Sequence, residues 1–150
     1  MIIRRAVVGD VAAIVGLLAD DELGAQRETP GDLGRYLEAF AVIDASPHET
    51  LVVAESDGVV VGTLQLTVLP GLSQRGMVRA QVEGVRVASG QRGGGLGEAL
   101  LSWAVAEARD RGCAVVQLMS DARREDAHRF YARLGFVGSH QGFKLWLDGR

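Results

Sequence analysis

The sequence predicts one mixed α/β domain over residues 1–150, a mostly antiparallel sheet carrying helices on its faces, and three observations support this. Two apolar runs, "ETLVVAES" and "VVVGTLQLTVLP", flank Asp57-Gly58, a dipeptide that accepts the positive φ of a two-residue hairpin turn. The glycine-rich "GQRGGGLG" opens a stretch in which Leu100, Leu101, Ala104, Val105 and Ala108 keep helical spacing. Finally, "CAVVQLM" is a continuous apolar run of the kind found in buried strands.

Taken in order, "MIIRRAV" reads as a first strand, and Asp10 is placed to cap a helix through "VAAIVGLLADD", where Val11, Ile14, Val15 and Leu18 share a face. "DELGAQRETPG", polar and broken by Gly24, Pro30 and Gly31, reads as a mobile connection to a second helix in "GDLGRYLEAFAVID". The hairpin follows, then "MVRAQVEGVRV" as a strand, the glycine loop with its helix, and the strand "CAVVQLM". "DAHRFYARLG" reads as a short helix with Asp126 as cap and Gly135 as stop, and "FVGS" and "GFKLWL" as two closing strands.

Composition excludes several classes. A 47% hydrophobic, 23% charged chain is ordinary for a globular protein, and no apolar run nears the length of a membrane span. "MIIRRAVVGD" lacks the apolar core and cleavage site of a signal peptide, so a cytoplasmic address and no membrane partner are expected. A net charge of −3 with dispersed basic residues gives no footprint for nucleic acid. Cys113 is the only cysteine, and His48, His128 and His140 lie far apart, so neither a disulfide nor a metal site is expected.

Two anomalies mark the functional region. Five of the eight residues from Gly90 to Gly97 are glycine, and they open a helix, whose free amides and positive dipole end suit an anion, phosphate above all. Just before them, Val78, Ala80 and Val82 take even positions but Val85 and Val87 take odd ones, so the alternation changes phase at Glu83-Gly84. A β-bulge would do this and would leave backbone groups unpaired. The plainer alternative is that Arg86 extends from a buried face with no bulge. Unpaired strand amides beside a phosphate cradle suit a ligand with a phosphate end and an amide-bearing arm.

Letter by letter, the common phosphate and nucleophile motifs fail. No lysine follows these glycines, which excludes GxxxxGK(S/T); GxGxxG ends on Glu98 or Leu100; and "GLSQR" lacks the closing glycine of a nucleophile elbow at Ser73. The pattern Gln/Arg-x-x-Gly-x-Gly/Ala is satisfied by Arg92, Gly95 and Gly97. Together with "VEGVRV" before it and "AHRFYARLGF" after it, this stretch resembles the GNAT-type, acetyl-coenzyme A dependent N-acetyltransferases, with the shared segments covering roughly 81–136.

The resemblance implies a GNAT-like acyl-CoA N-acyltransferase fold: a central mostly antiparallel sheet with a splayed, bulged strand and flanking helices. It implies that backbone amides of Arg92, Gly93, Gly94, Gly95, Leu96 and Gly97 bind the pyrophosphate of acetyl-coenzyme A or coenzyme A, and that Val85 and Val87 offer main-chain groups to the pantetheine arm. Tyr131 matches the tyrosine that protonates the departing thiolate in many relatives, and Glu83 stands where relatives carry a glutamate that deprotonates the amine. Packing for Tyr131 and a solvated carboxylate for Glu83 are the plainer alternatives. Where many relatives have asparagine seven residues before the tyrosine, this chain has Arg124. The implied partner is a small-molecule amine, with a homodimer left open. Two other classes stay in view: a coenzyme A binding sensor without turnover, and an interaction protein whose glycines serve only close helix–sheet packing.

Overall fold

A computed structural model describes all 150 residues and falls into two compact units, Met1–Leu118 and Met119–Arg150. In the first, β1 (Ile2–Arg5) leads through a 3-10 turn (Val8–Asp10) to α1 (Val11–Ala19), α2 (Glu22–Arg27) and α3 (Gly34–Ala45). Then come β2 (Glu49–Ser56), β3 (Val59–Leu69), the four-residue α4 (Ser73–Gly76), β4 (Arg79–Val87), a second 3-10 turn (Ser89–Gln91), α5 (Leu96–Asp110) and β5 (Val115–Leu118). The strands lie in the order β1-β2-β3-β4-β5, antiparallel except for the parallel β4–β5 pair. None of the helices is long and apolar enough to cross a membrane.

The hairpin forms as its sequence dictates, with Asp57 at φ 50° and Gly58 at φ 77°. Alternation then sorts the sheet into two faces. Val53 packs with Val11, Ile14, Val15 and Phe40 under α1 and α3, with Leu51 beside them. On the opposite face the helical stripe of α5 is buried through Leu100, Leu101, Ala104 and Ala108, while Ser102, Ala106 and Arg109 are exposed or nearly so. Gly62 allows this approach: a Cβ there would stand 3.1 Å from the Leu100 Cδ1 and 3.3 Å from the Arg86 carbonyl oxygen.

Local structure departs from the sequence expectation in two places, and a third segment is irregular without one. Asp10 does not cap α1 with its side chain; its carboxylate instead accepts the Val7 amide at 2.8 Å and the Arg4 guanidinium. The polar connection contains α2, because Asp21 caps it through the Gly24 amide at 2.5 Å and Gly24 is pressed on the end of α1, where a Cβ would clash with the Leu18 carbonyl oxygen. Residues of α4 are a turn rather than a right-handed helix, since Gln74 and Arg75 have φ of 52° and 64°.

The second unit holds α6 (Glu125–Arg133). Its first-turn carboxylates, Glu125 and Asp126, favour the positive end of the dipole, though Asp126 lies inside the helix rather than capping it. Gly135 at φ 95° ends it, with its amide on the Ala132 carbonyl at 3.1 Å. The two closing strands do not form. Phe143, Leu145 and Leu147 alternate as a strand would, yet are 88%, 87% and 93% exposed; alternation supplies a face, but a strand also needs a ladder to join, and this unit contains no sheet.

Candidate active site

The phase change in β4 is a bulge. Thr63 pairs with Arg86 and Gln65 with Glu83, so Leu64 alone faces two residues, Gly84 and Val85. Gly84 takes φ 64°, which a side chain would strain. The extra residue keeps Ala80, Val82, Val85 and Val87 on the α5 face, and leaves Glu83 and Arg86 with Gln65 and Thr63 on the α1/α3 face. The parallel ladder to β5 runs only from Arg79–Val115 to Val82–Leu118. β4 therefore continues from Glu83 to Val87 beyond its last pair with β5.

The glycine loop follows directly. Gly93 and Gly95 have φ of 83° and 85°, and a Cβ on either would meet nothing within 4 Å. Close packing is therefore not what requires glycine here: the backbone needs the left-handed conformation, and the space above it is open. Gly95 is the N-cap of α5, and the first helical bond is Ala99 N–H to Gly95 C=O at 3.0 Å. The amides of Leu96, Gly97 and Glu98 precede that bond and have no carbonyl within the helix. The buried Leu96 side chain anchors this end, while Glu98 is exposed.

Two arginines do something the sequence did not signal. Arg92 Nε donates to the Val87 carbonyl at 3.3 Å, and its Nη2 donates to the Asp20 carbonyl at 3.3 Å, tying the loop to the end of α1. Arg86 Nη1 donates to the Val85 carbonyl at 2.9 Å. The main-chain oxygens of both valines thus accept from arginine side chains along this stretch, unpaired with β5. No residue pattern reports such contacts, because they depend on how the bulge turns the strand.

Glu83 is exposed on the α1/α3 face, and its ladder partner Gln65, together with Gly84, lines a cavity between that helical layer and the sheet. Glu83, Val85, Val87 and the segment 92–97 thus share one unit, from the bulge through the loop to the start of α5. Tyr131 belongs to the second unit, half-buried on α6 with its ring edge-on to Phe130 and Phe136 at centroid distances of 5.3 and 5.9 Å. Burial pushes the Cys113 thiol above its ordinary pKa, which disfavours the thiolate a nucleophile requires.

Residues 12–136 match the acetyltransferase (GNAT) family. Over 144 residues the chain is 29% identical to an aminoalkylphosphonate N-acetyltransferase of Salmonella typhimurium, covering 94% of this chain and 88% of that protein. Its fold is also that of a transcriptional regulator from Bacillus halodurans C-125, whose crystal structure is 42% identical with a TM-score of 0.94, covering 97% of this chain and 99% of the other. A putative acetyltransferase from Agrobacterium tumefaciens is 27% identical with a TM-score of 0.82, over 97% and 99% of the two chains.

Proposed function

Because the chain belongs to the acetyltransferase (GNAT) family, we propose that it moves acetyl from acetyl-coenzyme A to a primary amine by direct attack, through a tetrahedral intermediate and without an acyl-enzyme. The observation that carries this is the glycine loop: left-handed glycines with open space above them, at the start of a fifteen-residue helix. Such a cradle fits a pyrophosphate, whose negative charge meets the helix dipole at about 0.3 to 2 kcal/mol beyond the hydrogen bonds themselves.

Segment 92–97 holds the phosphates through its amides, and the Val85 and Val87 main chain aligns the amide-bearing arm along the splay. The coenzyme supplies an acetyl thioester, a carbonyl activated toward amines. Glu83 accepts the proton from the incoming ammonium, freeing the lone pair that forms the new C–N bond. Tyr131 donates its phenolic proton as the C–S bond breaks, which is reasonable for a phenol of pKa about 10 facing a thiolate whose parent is near 8.5. The attacking nitrogen sheds its second proton as the amide forms, which restores the phenolate through solvent, and Glu83 releases its own proton to solvent.

A second reading is a coenzyme A sensor without turnover, and one observation favours it: the Bacillus halodurans structure of similar fold is that of a transcriptional regulator. Offering acetyl-coenzyme A with pools of primary amines separates the two. Thiol release that depends on amine supports the enzyme; coenzyme binding without release across the pools supports the sensor.

A further inference from the structure

Between α1, α3 and the sheet lies a cavity of about 200 Å³, walled entirely by the first unit. Leu18 and Phe40 are among its apolar walls, and none of its lining residues is charged. The polar side chains that reach it are held by protein. Thr63 Oγ1 donates to the Val52 carbonyl at 2.9 Å, and Gln65 Nε2 to Glu49 Oε2 at 3.1 Å. The Tyr36 hydroxyl donates to Glu28 Oε1 at 2.9 Å and accepts the Thr29 amide at 2.8 Å, so the ring faces the cavity while its oxygen serves the loop before α3.

The cavity adjoins the proposed chemistry. Gly84, the bulged residue, forms part of its wall, and Gln65 is the ladder partner of Glu83 on the same face. An amine that gives its proton to Glu83 must approach on that face. The cavity is the apolar recess that adjoins Glu83 on this face, through Gln65 and Gly84, so it is where an apolar substituent would seat, whereas an acyl group delivered along the splay would arrive at the edge of the sheet. An apolar cavity of about 150 Å³ is large enough for benzene, so this one has room for a phenyl group or a short alkyl chain. The cation on this face, Arg86 opposite the lining Thr63, turns its Nη1 to the Val85 carbonyl, and an anionic substituent seated among the uncharged lining residues would carry a large desolvation cost.

We infer that the acceptor is a primary amine with an apolar substituent of up to about benzene size, seated in this cavity with its nitrogen at Glu83. This rests on the acetyl-transfer reading above. It separates the chain from an acceptor with a phosphonate head, the substrate named for its Salmonella relative.

The experiment measures kcat/KM for n-alkylamines from ethylamine to hexylamine, and for 2-aminoethylphosphonate, with wild type and Ala39→Phe. Ala39 lines the cavity but is exposed, so a larger side chain there narrows the mouth without crowding the core. The expected result is a rise of about fourfold per methylene buried, flattened in the variant, with 2-aminoethylphosphonate below butylamine. A flat alkylamine series, or 2-aminoethylphosphonate above butylamine, overturns the inference. So does a chain-length preference that appears instead in the donor, as acetyl-, butyryl- and hexanoyl-coenzyme A are compared. If coenzyme A fails to bind at all, the acetyl-transfer reading falls separately. The cavity is then tested alone: hexylamine should raise the melting temperature of wild type and not of Ala39→Phe, and equal behaviour of the two overturns it.

Discussion

Arg4 grips both carboxylate oxygens of Asp10, at 2.8 and 3.0 Å, and its Nε reaches Glu55 Oε2 at 2.7 Å, so one guanidinium joins β1, β2 and the turn that launches α1. The Arg4 hydrogen bonds hold the Asp10 carboxyl below its ordinary pKa, against the opposing effect of burial. A depressed carboxylate contributes stability above the unfolded pKa of about 3.9, and loses it as pH falls through the lower folded value. Wild type should therefore lose melting temperature below about pH 4, and Asp10→Asn should lose less over that range. At pH 7 the variant should melt roughly 3 to 8 °C lower. Parallel pH profiles for the two proteins would remove Asp10 from this role.

Coenzyme A should stabilise the protein. At a hundredfold excess over Kd it adds about 2.7 kcal/mol, or roughly 5 to 10 °C in Tm for a chain of this size. The informative variant is Gly94→Val rather than Gly95→Val, because Gly95 sits at φ 85° and any side chain there is strained, whereas a Cβ at Gly94 makes only a 3.4 Å contact with the Gln91 carbonyl oxygen. Gly94→Val should keep the unliganded Tm within a few degrees and lose most of the coenzyme shift. An undiminished shift would mean that the loop is not the cradle.

Glu83→Gln keeps the size of the side chain and removes the base. With coenzyme binding retained, turnover should drop by about 10² to 10⁴. Steady-state assays of the two proteins at saturating coenzyme check this; an unaltered turnover would return Glu83 to a solvated strand position.

At Tyr131 the phenol and the ring separate cleanly. Tyr131→Phe preserves the edge-on contacts with Phe130 and Phe136, so stability and the coenzyme shift should persist while turnover falls by about 10² or more. The loss should shrink with thioesters of more acidic thiols, whose thiolates leave with less need of a proton. A uniform loss across leaving groups would make the hydroxyl a positioning group instead.

Much of this was legible in the chain because the signals are local. Asp57-Gly58 fixes a turn by its own φ preference, and the even-to-odd shift between Val82 and Val85 can be counted without any knowledge of β3. The packing explanation for the glycines was not decidable from letters, and the open space at Gly93 and Gly95 decides it. What escaped depends on partners distant in sequence. α2 is held by Gly24 against the Leu18 carbonyl, inside a stretch whose composition reads as loop. "GFKLWL" has strand alternation without a ladder in its unit. The cavity draws its wall from two helices and three strands, and Arg92 reaches Asp20 across 72 positions; periodicity is blind to all of these.

The bulge has a further consequence for how such a site can arise. Omit Gly84 and the string reads Val82, Glu83, Val85, Arg86, Val87, an unbroken alternation that would pair in register with β3 and keep every side chain on its present face. The strand is thus an ordinary one carrying a single insertion, and its irregularity is confined to a residue with no side chain to misplace. Deleting that glycine should yield a protein that folds at least as stably and loses most of the coenzyme A shift in Tm. In this chain the difference between a scaffold and an enzyme would then be one codon, with catalytic competence held against the gradient of stability.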